Sequence, residues 1–238
     1  YIAAGLAATN ARFAHNDLYL QFFSMLCVYF AVKYHLTGMR YWIYASFFAV
    51  GLAASSKYTG GSLLLVPLFT LIVMNWNELK KNWFQSLETL FISAVLCFGG
   101  YALGTPKALL WMVYYFKRVI PALKNYPLYS TGSGTVIGLY GQWGVFEQGV
   151  GIFAYYLFIG CIVWFMGRLI LRKAGKFFME EKQAQVITIL LVTVIIFDLP
   201  FLISVNYIPR FFIPFVPFLS VLAAIFIAEI YELINRQG

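Results

Sequence analysis

The ionisable residues of this chain are few and stand in unusual places. Arg12, His15, Asp17, Lys57 and Arg210 each lie at the end of an apolar stretch rather than in a solvated basic cluster. Ionisable groups at such edges mark a site when they face a cavity. Several cations beside one carboxylate suit an anionic ligand: a Lys point charge and an Arg fork both match phosphate oxygens. The competing reading is that each Lys or Arg merely snorkels to the headgroup layer. Asp17 is the only acid in the opening segment, so it is a candidate to orient an acceptor or to assist a base, against an ordinary helix cap built from Asn16 or Asp17. His15 titrates near neutral pH when unperturbed, although a lone His more often serves only as a hydrogen-bonding residue.

These residues need a framework, and composition says which. The 238 residues are 62% hydrophobic, 20% aromatic and 11% charged. A soluble domain carries about 25% charged residues, so the composition fits a polytopic membrane protein and excludes nucleic-acid-binding, secreted-scaffold and disordered classes. The formal charge of +8 points to cytoplasmic anchoring or to an anion site. Cys27, Cys97 and Cys161 all fall in apolar stretches, with no Cys-x-x-Cys spacing and no clustered His, so no disulfide framework, zinc site or other metal site is expected.

Apolar segments run over Leu18 to Val32, Tyr41 to Ser56, Gly60 to Met74, Leu87 to Leu103, Val150 to Met166, Val186 to Val205 and Phe211 to Ile230. The expected fold is therefore all-α: a single transmembrane bundle over residues 1–238 with about seven spans. Tyr41 to Ser56 is short for a crossing, so its ends are expected to extend into the flanks. The extramembrane stretch is 105–149. Its first half, Lys107 to Lys124, spaces Leu109, Met112, Val113, Phe116, Val119 and Leu123 as one face of an interfacial amphipathic helix. Its second half reads as a loop, and the Ser130 to Thr135 run lacks the ending of a phosphate loop.

Counting crossings places Lys33 to Arg40, Asn75 to Asn82, Arg168 to Lys182 and Arg236 on one side, with ten Lys and Arg; outside the long loop the other side has three. The richer side is cytoplasmic by the positive-inside rule. Arg12, His15, Asp17, Lys57, Arg210 and the 105–149 segment then share the extracytoplasmic face, the periplasm, cell exterior or endoplasmic-reticulum lumen.

Four elements in order resemble polytopic GT-C glycosyltransferases of the protein O-mannosyltransferase and aminoarabinose-transferase type. Ala11-Arg-Phe-Ala-His-Asn-Asp17-Leu-Tyr-Leu-Gln-Phe-Phe23 is similar to the segment in which an Arg precedes an Asp at a span start. Gly51-Leu-Ala-Ala-Ser-Ser-Lys57-Tyr58 resembles the Gly-Leu-Ala-x-x-Thr-Lys-Tyr element, with Ser56 in place of Thr. Tyr101-Ala-Leu-Gly-Thr-Pro106-Lys-Ala-Leu-Leu110 resembles the Pro-x-x-Leu-Leu entry into an extracytoplasmic helix. Tyr207-Ile-Pro-Arg210-Phe-Phe-Ile-Pro214-Phe-Val-Pro217 resembles the closing Arg-Tyr-x-x-Pro-x-x-Pro element, with Phe211 in place of Tyr.

The resemblance implies a hexosyl- or pentosyltransferase that moves sugar from a polyprenyl-phosphate donor to a lipid, glycan or protein acceptor outside the cytoplasm, by inverting displacement. It implies no cofactor and no nucleotide-metal pair, and no nucleic-acid partner is expected. Lys57, Arg210 and Arg12 are then the donor-phosphate residues, Asp17 a supporting carboxylate, and His15, Tyr58, Tyr207 and Glu147 further substrate contacts. An aromatic-belt role competes for Tyr58, and a solvated loop charge for Glu147. The chain opens at Tyr1 inside an apolar run, which reads as the start of a fragment, and the family's catalytic base would precede Tyr1.

Three further features carry weaker readings. Asp198, two residues before Pro200 in an apolar span, needs a partner and is read mainly as structural, capping a broken helix or joining a polar relay. Of the 47 aromatic residues, only those of the outer segment, Trp111, Tyr126, Tyr140 and Trp143, are candidates to stack on sugar. A transporter or flippase of lipid-linked anions would use the same basic cleft without a base, but no internal repeat supports it; a non-catalytic membrane subunit would need the charges only as anchors.

Overall fold

The structure is a computed structural model and describes residues 16–72, 76–125, 147, 150–173, 180–202, 213–214 and 216–235. Most of the described residues are helical, with no strand among them. In chain order the helices are α1 (Asp17–Thr37), α2 (Arg40–Ser56), a 3-10 segment (Tyr58–Leu64) running into α3 (Leu65–Ile72), α4 (Trp76–Lys81), α5 (Trp83–Gly104), α6 (Lys107–Leu110), α7 (Met112–Asn125), α8 (Ile152–Lys173), α9 (Glu181–Leu202) and α10 (Val216–Asn235). Each of the seven apolar segments of the sequence falls mainly within one of the longer helical elements. Among the described residues, Trp83–Gly104 and Ile152–Lys173 are long and apolar enough to cross a membrane, with Tyr58–Ile72 a shorter apolar helix.

Local sequence explains the breaks. α1 stops because Gly38 adopts the left-handed conformation at φ 70°, where its N–H reaches back to the Tyr34 carbonyl at 2.7 Å; a side chain there would be strained. α2 stops at Lys57, which is extended at φ −156° and ψ 138°. Its 17 residues gain only Arg40 beyond the apolar stretch, so the expected lengthening is small. At about 1.5 Å per residue it stays shorter than a hydrocarbon layer of about 30 Å.

The segment after Lys57 enters as a 3-10 turn rather than an α-helix. A Cβ on Gly60 would meet the Ala53 backbone at 2.5 Å and Leu20 at 2.8 Å, so the chain is pressed onto α1 and α2 where it turns. The polar connector after α3 holds the short helix α4. Further on, Lys107 to Lys124 is not one helix: it breaks at Trp111 into α6 and α7, and α7 carries Pro121 internally. Pro200 does not break α9, which continues to Leu202. The expected broken helix at Asp198 is therefore corrected; a proline without neighbours to take up the freed carbonyl would be costly, but a bundle supplies such neighbours. The Asp198 side chain lies outside the described residues.

Helix α2 is the central strut, packed along α1 on one side and α5 on the other. The α2–α5 approach is close because the crossing is made of glycine: an added Cβ would lie 2.0 Å from the Cys97 carbonyl at Gly51 and 2.4 Å from the Phe48 carbonyl at Gly100. Small residues allow this backbone contact in membrane bundles, where packing replaces the hydrophobic effect between helices. The second half of the bundle joins through a continuous core that includes Leu20, Cys27, Val50, Phe158, Ile187 and Leu222. Outward faces are strongly apolar: Phe91 is 71% exposed on α5 and Phe153 91% on α8, as lipid-facing positions require.

The two ends of the bundle differ. At the end holding Thr37 and Lys173, Glu229 of α10 accepts hydrogen bonds from Trp164 and Arg168 of α8 and from Gln183 of α9, tying three helices together. There His35 Nε2 also meets Gln185 Oε1 at 2.7 Å. At the other end lie the residues with chemical potential.

Candidate functional site

The N-terminus of α1 and the C-terminus of α2 meet at this second end. Lys57 Nζ donates to Asp17 Oδ1 at 2.5 Å, and Asn16 Nδ2 donates to the Ser56 carbonyl at 2.7 Å. Asp17 is 1% exposed, so its charge is taken out of water; a buried carboxylate requires such a partner. The capping alternative does not hold. Asn16 stands before α1 with no side-chain cap bond, and its amide is spent across the helix pair. The extended backbone of Lys57 turns its side chain out of the α2 register and toward α1, while the Gly60 N–H fixes the Lys57 carbonyl at 2.8 Å.

One residue further, Tyr58 is 48% exposed. Its hydroxyl approaches that of Tyr115 of α7, and Tyr115 meets the Tyr101 hydroxyl of α5 at 2.6 Å. Burial, followed by the hydrogen bond to Tyr101, pushes the Tyr115 phenol above its usual range. It therefore stays protonated at neutral pH and acts as a hydrogen-bonding link rather than a base. This chain of three phenols docks the amphipathic helix to the bundle. Between them opens a groove of about 750 Å³, lined by Tyr58, Lys107, Trp111, Tyr114, Tyr115 and Arg118. Replacing Tyr115 by Phe removes both hydroxyl contacts and is expected to cost about 1 kcal/mol, read as faster amide hydrogen exchange across Met112–Asn125 with exchange in α2 unchanged.

A third contact closes the end of the bundle. Gln21, one turn beyond Asp17 on α1 and itself buried, donates from Nε2 to the Ile213 carbonyl at 3.2 Å. Arg210 lies outside the described residues, as do Arg12, His15 and Tyr207. Glu147 is described: its carbonyl accepts the Gly151 N–H at 2.8 Å, and it is not among the residues that line the groove. Trp111 lines the groove, whereas Tyr126, Tyr140 and Trp143 lie outside the described residues.

The family model for dolichyl-phosphate-mannose-protein mannosyltransferase matches residues 1–120. The chain belongs to this family. In this mannosyltransferase-family chain the matched stretch takes in the Asp17–Lys57 pair, the glycine crossing, the three phenols and the groove. Tyr207 and Arg210 lie beyond it. Comparison with curated proteins and with solved structures gives no match. Membership makes it a membrane protein of the glycosyltransferase kind, in keeping with its apolar helices.

Sequence reasoning put Asp17 and Lys57 on one face, and the structure brings these two together. It missed Gln21, Tyr115, Lys107 and Arg118. Tyr115 carries no signal by type among so many aromatics. A row of cations without any acid between Thr105 and Asn125 was the available clue to Lys107 and Arg118.

Proposed function

We propose that this chain forms part of a glycosyltransferase that takes sugar from a polyprenyl-phosphate donor and passes it to an extracytoplasmic acceptor with inversion at the sugar carbon. The bundle crosses the membrane about seven times, with the Asp17–Lys57 end outside the cytoplasm. The observation that carries the reading is a buried Lys–Asp pair beside an aromatic, basic groove, inside the segment that matches the mannosyltransferase family.

In this reading Lys57, with Arg210 and Arg12, stabilises the charge that grows on the phosphate oxygen as the sugar carbon leaves it. Preorganised cations aimed at developing charge are worth most where water is excluded. The acceptor oxygen attacks the sugar carbon, the bond from that carbon to the phosphate oxygen breaks, and polyprenyl phosphate departs with the electron pair. The acceptor proton passes to a carboxylate base. Asp17 supports this step by holding Lys57 in place and, when Lys57 turns to phosphate, by orienting the acceptor. His15, Tyr58, Tyr207 and Glu147 are the remaining proposed substrate contacts.

The test is transfer by the intact protein, reconstituted in vesicles, from radiolabelled polyprenyl-phosphate mannose to peptide and lipid acceptors, with the anomeric configuration of the product determined. Labelled product of inverted configuration is expected. Retained configuration contradicts the displacement step; bound donor that crosses the bilayer without transfer supports a flippase instead.

A further inference from the structure

We propose that the groove between Tyr58 and helices α6 and α7 is a binding site for the phosphate headgroup of an anionic membrane phospholipid, with Lys107 and Arg118 as its cations. This goes beyond sugar transfer and needs neither donor nor acceptor. It rests on the groove's chemistry and on the membrane setting that family membership supplies.

Four observations converge. Lys107 and Arg118 line one groove together with aromatic walls from Tyr58, Trp111 and Tyr114. Every charged residue between Thr105 and Asn125 is a cation, so no carboxylate in this segment competes for them. Arg118 stacks over the Tyr114 ring at 5.1 Å, which orients its planar fork, and such a fork pairs well with phosphate oxygens. Finally, the apolar side chains beside these cations are unusually bare: Leu110 is 77% exposed, Val113 71% and Trp111 65%.

Apolar side chains of that size beside cations match the two ends of one molecule, an acyl chain and a phosphate. Amphipathic helices of this composition bind anionic bilayers through both features. What distinguishes this segment from a helix that merely floats on the surface is the concave wall. The Tyr58–Tyr115–Tyr101 hydroxyl chain pins α7 to the bundle, so the groove keeps a fixed shape for one headgroup. At about 750 Å³ it has the size of a small-molecule site. Lys57 is not one of its walls and is engaged by Asp17, so the lipid cations are separate from the proposed donor-phosphate cations.

Trp111 provides the readout. The intact protein is placed in phosphatidylcholine nanodiscs containing an equal fraction of either bromine-tailed phosphatidylglycerol or bromine-tailed phosphatidylcholine. Fluorescence quenching is measured, and the Trp111 component of the six tryptophans is isolated by difference from Trp111→Phe. Quenching of Trp111 is expected to be several-fold greater with the brominated phosphatidylglycerol. Lys107→Gln with Arg118→Gln should reduce that preference about tenfold, and each single substitution should reduce it in part. Lys117→Gln removes an equal charge from the same helix outside the groove and should leave the preference intact, which separates a site from general surface attraction.

Equal quenching by the two lipids in the wild-type protein overturns the proposal. So does a preference that survives both substitutions, or one that falls equally in Lys117→Gln. Millimolar inorganic phosphate should leave the preference in place; if it abolishes the preference, the groove takes free phosphate and the lipid assignment is wrong. Because no sugar transfer is measured, failure here leaves the glycosyltransferase reading standing, and a protein inactive in transfer can still pass this test.

Discussion

Lys57→Ala is expected to lower sugar transfer by about two to three orders of magnitude, the range for removing one preorganised group from a developing negative charge. The same substitution strands Asp17, which is 1% exposed, and losing one partner of a buried pair costs about 3–5 kcal/mol. Activity alone would then mix chemistry with folding. Asp17→Asn combined with Lys57→Met removes both charges and replaces the Lys stem with an apolar chain of similar length. That double variant should recover most of the lost stability, since a buried pair without its charges is often neutral in energy, while transfer remains lost. Thermal unfolding in detergent and transfer in vesicles, measured on the same preparations, distinguish the two effects. A double variant that is stable and fully active would remove Lys57 from the chemistry.

The second large effect concerns the strut that holds Lys57. Gly51→Ala puts a methyl group 2.0 Å from the Cys97 carbonyl and 2.6 Å from the Tyr101 nitrogen, both backbone atoms that no rotamer change can move. α2 and α5 must separate, at an expected cost of about 3 kcal/mol, the upper part of the range for overpacking. Because α2 ends at Lys57 and α5 carries Tyr101, the shift also reaches the groove, so transfer should fall beyond what lost stability explains. Gly99 is the control: a Cβ there meets nothing within 4 Å. Gly99→Ala should unfold no earlier than wild type, with a helix-propensity gain of up to about 1 kcal/mol. Denaturant unfolding of both variants checks the contrast; equal behaviour would mean that the crossing is not the tight contact described.

These effects show which parts of the molecule the sequence reveals. Asp17 and Lys57 are separated by 40 positions, yet parity alone joins them: if Leu18 to Val32 crosses once and Tyr41 to Ser56 returns, their outer ends share a face. Hydrophobic length carries that information, and the ion pair agrees with it. The shape of the turn at Lys57 is another matter. Gly60 adopts its place because Ala53 and Leu20 press against it, a tertiary contact that local propensity does not encode.

The groove was hidden for a similar reason. Spacing gave the amphipathic character of Lys107 to Lys124, but the break at Trp111 resets the helix rotation, so the direction of Tyr115 toward Tyr101 does not follow from a single helical wheel. Glu229 illustrates the opposite end of the bundle. It sits inside an apolar segment and reads as an isolated charge, yet its partners Trp164, Arg168 and Gln183 arrive from two other helices. Only packing reveals that convergence. The glycines at Gly51 and Gly100 were visible as residues, but the partner each one faces is set by the crossing of α2 and α5.

The central claim is that Lys57 exchanges its carboxylate partner for a lipid phosphate. Phosphorus NMR of a short-chain polyprenyl phosphate, titrated with the intact protein in nanodiscs, tests it most directly. A saturable shift of the phosphate resonance is expected with the protein carrying Lys107→Gln and Arg118→Gln, which silence the groove, and no saturable shift when Asp17→Asn and Lys57→Met, expected to keep the fold, are added to it. The same shift in both proteins would contradict the claim, placing the phosphate away from the Asp17–Lys57 pair.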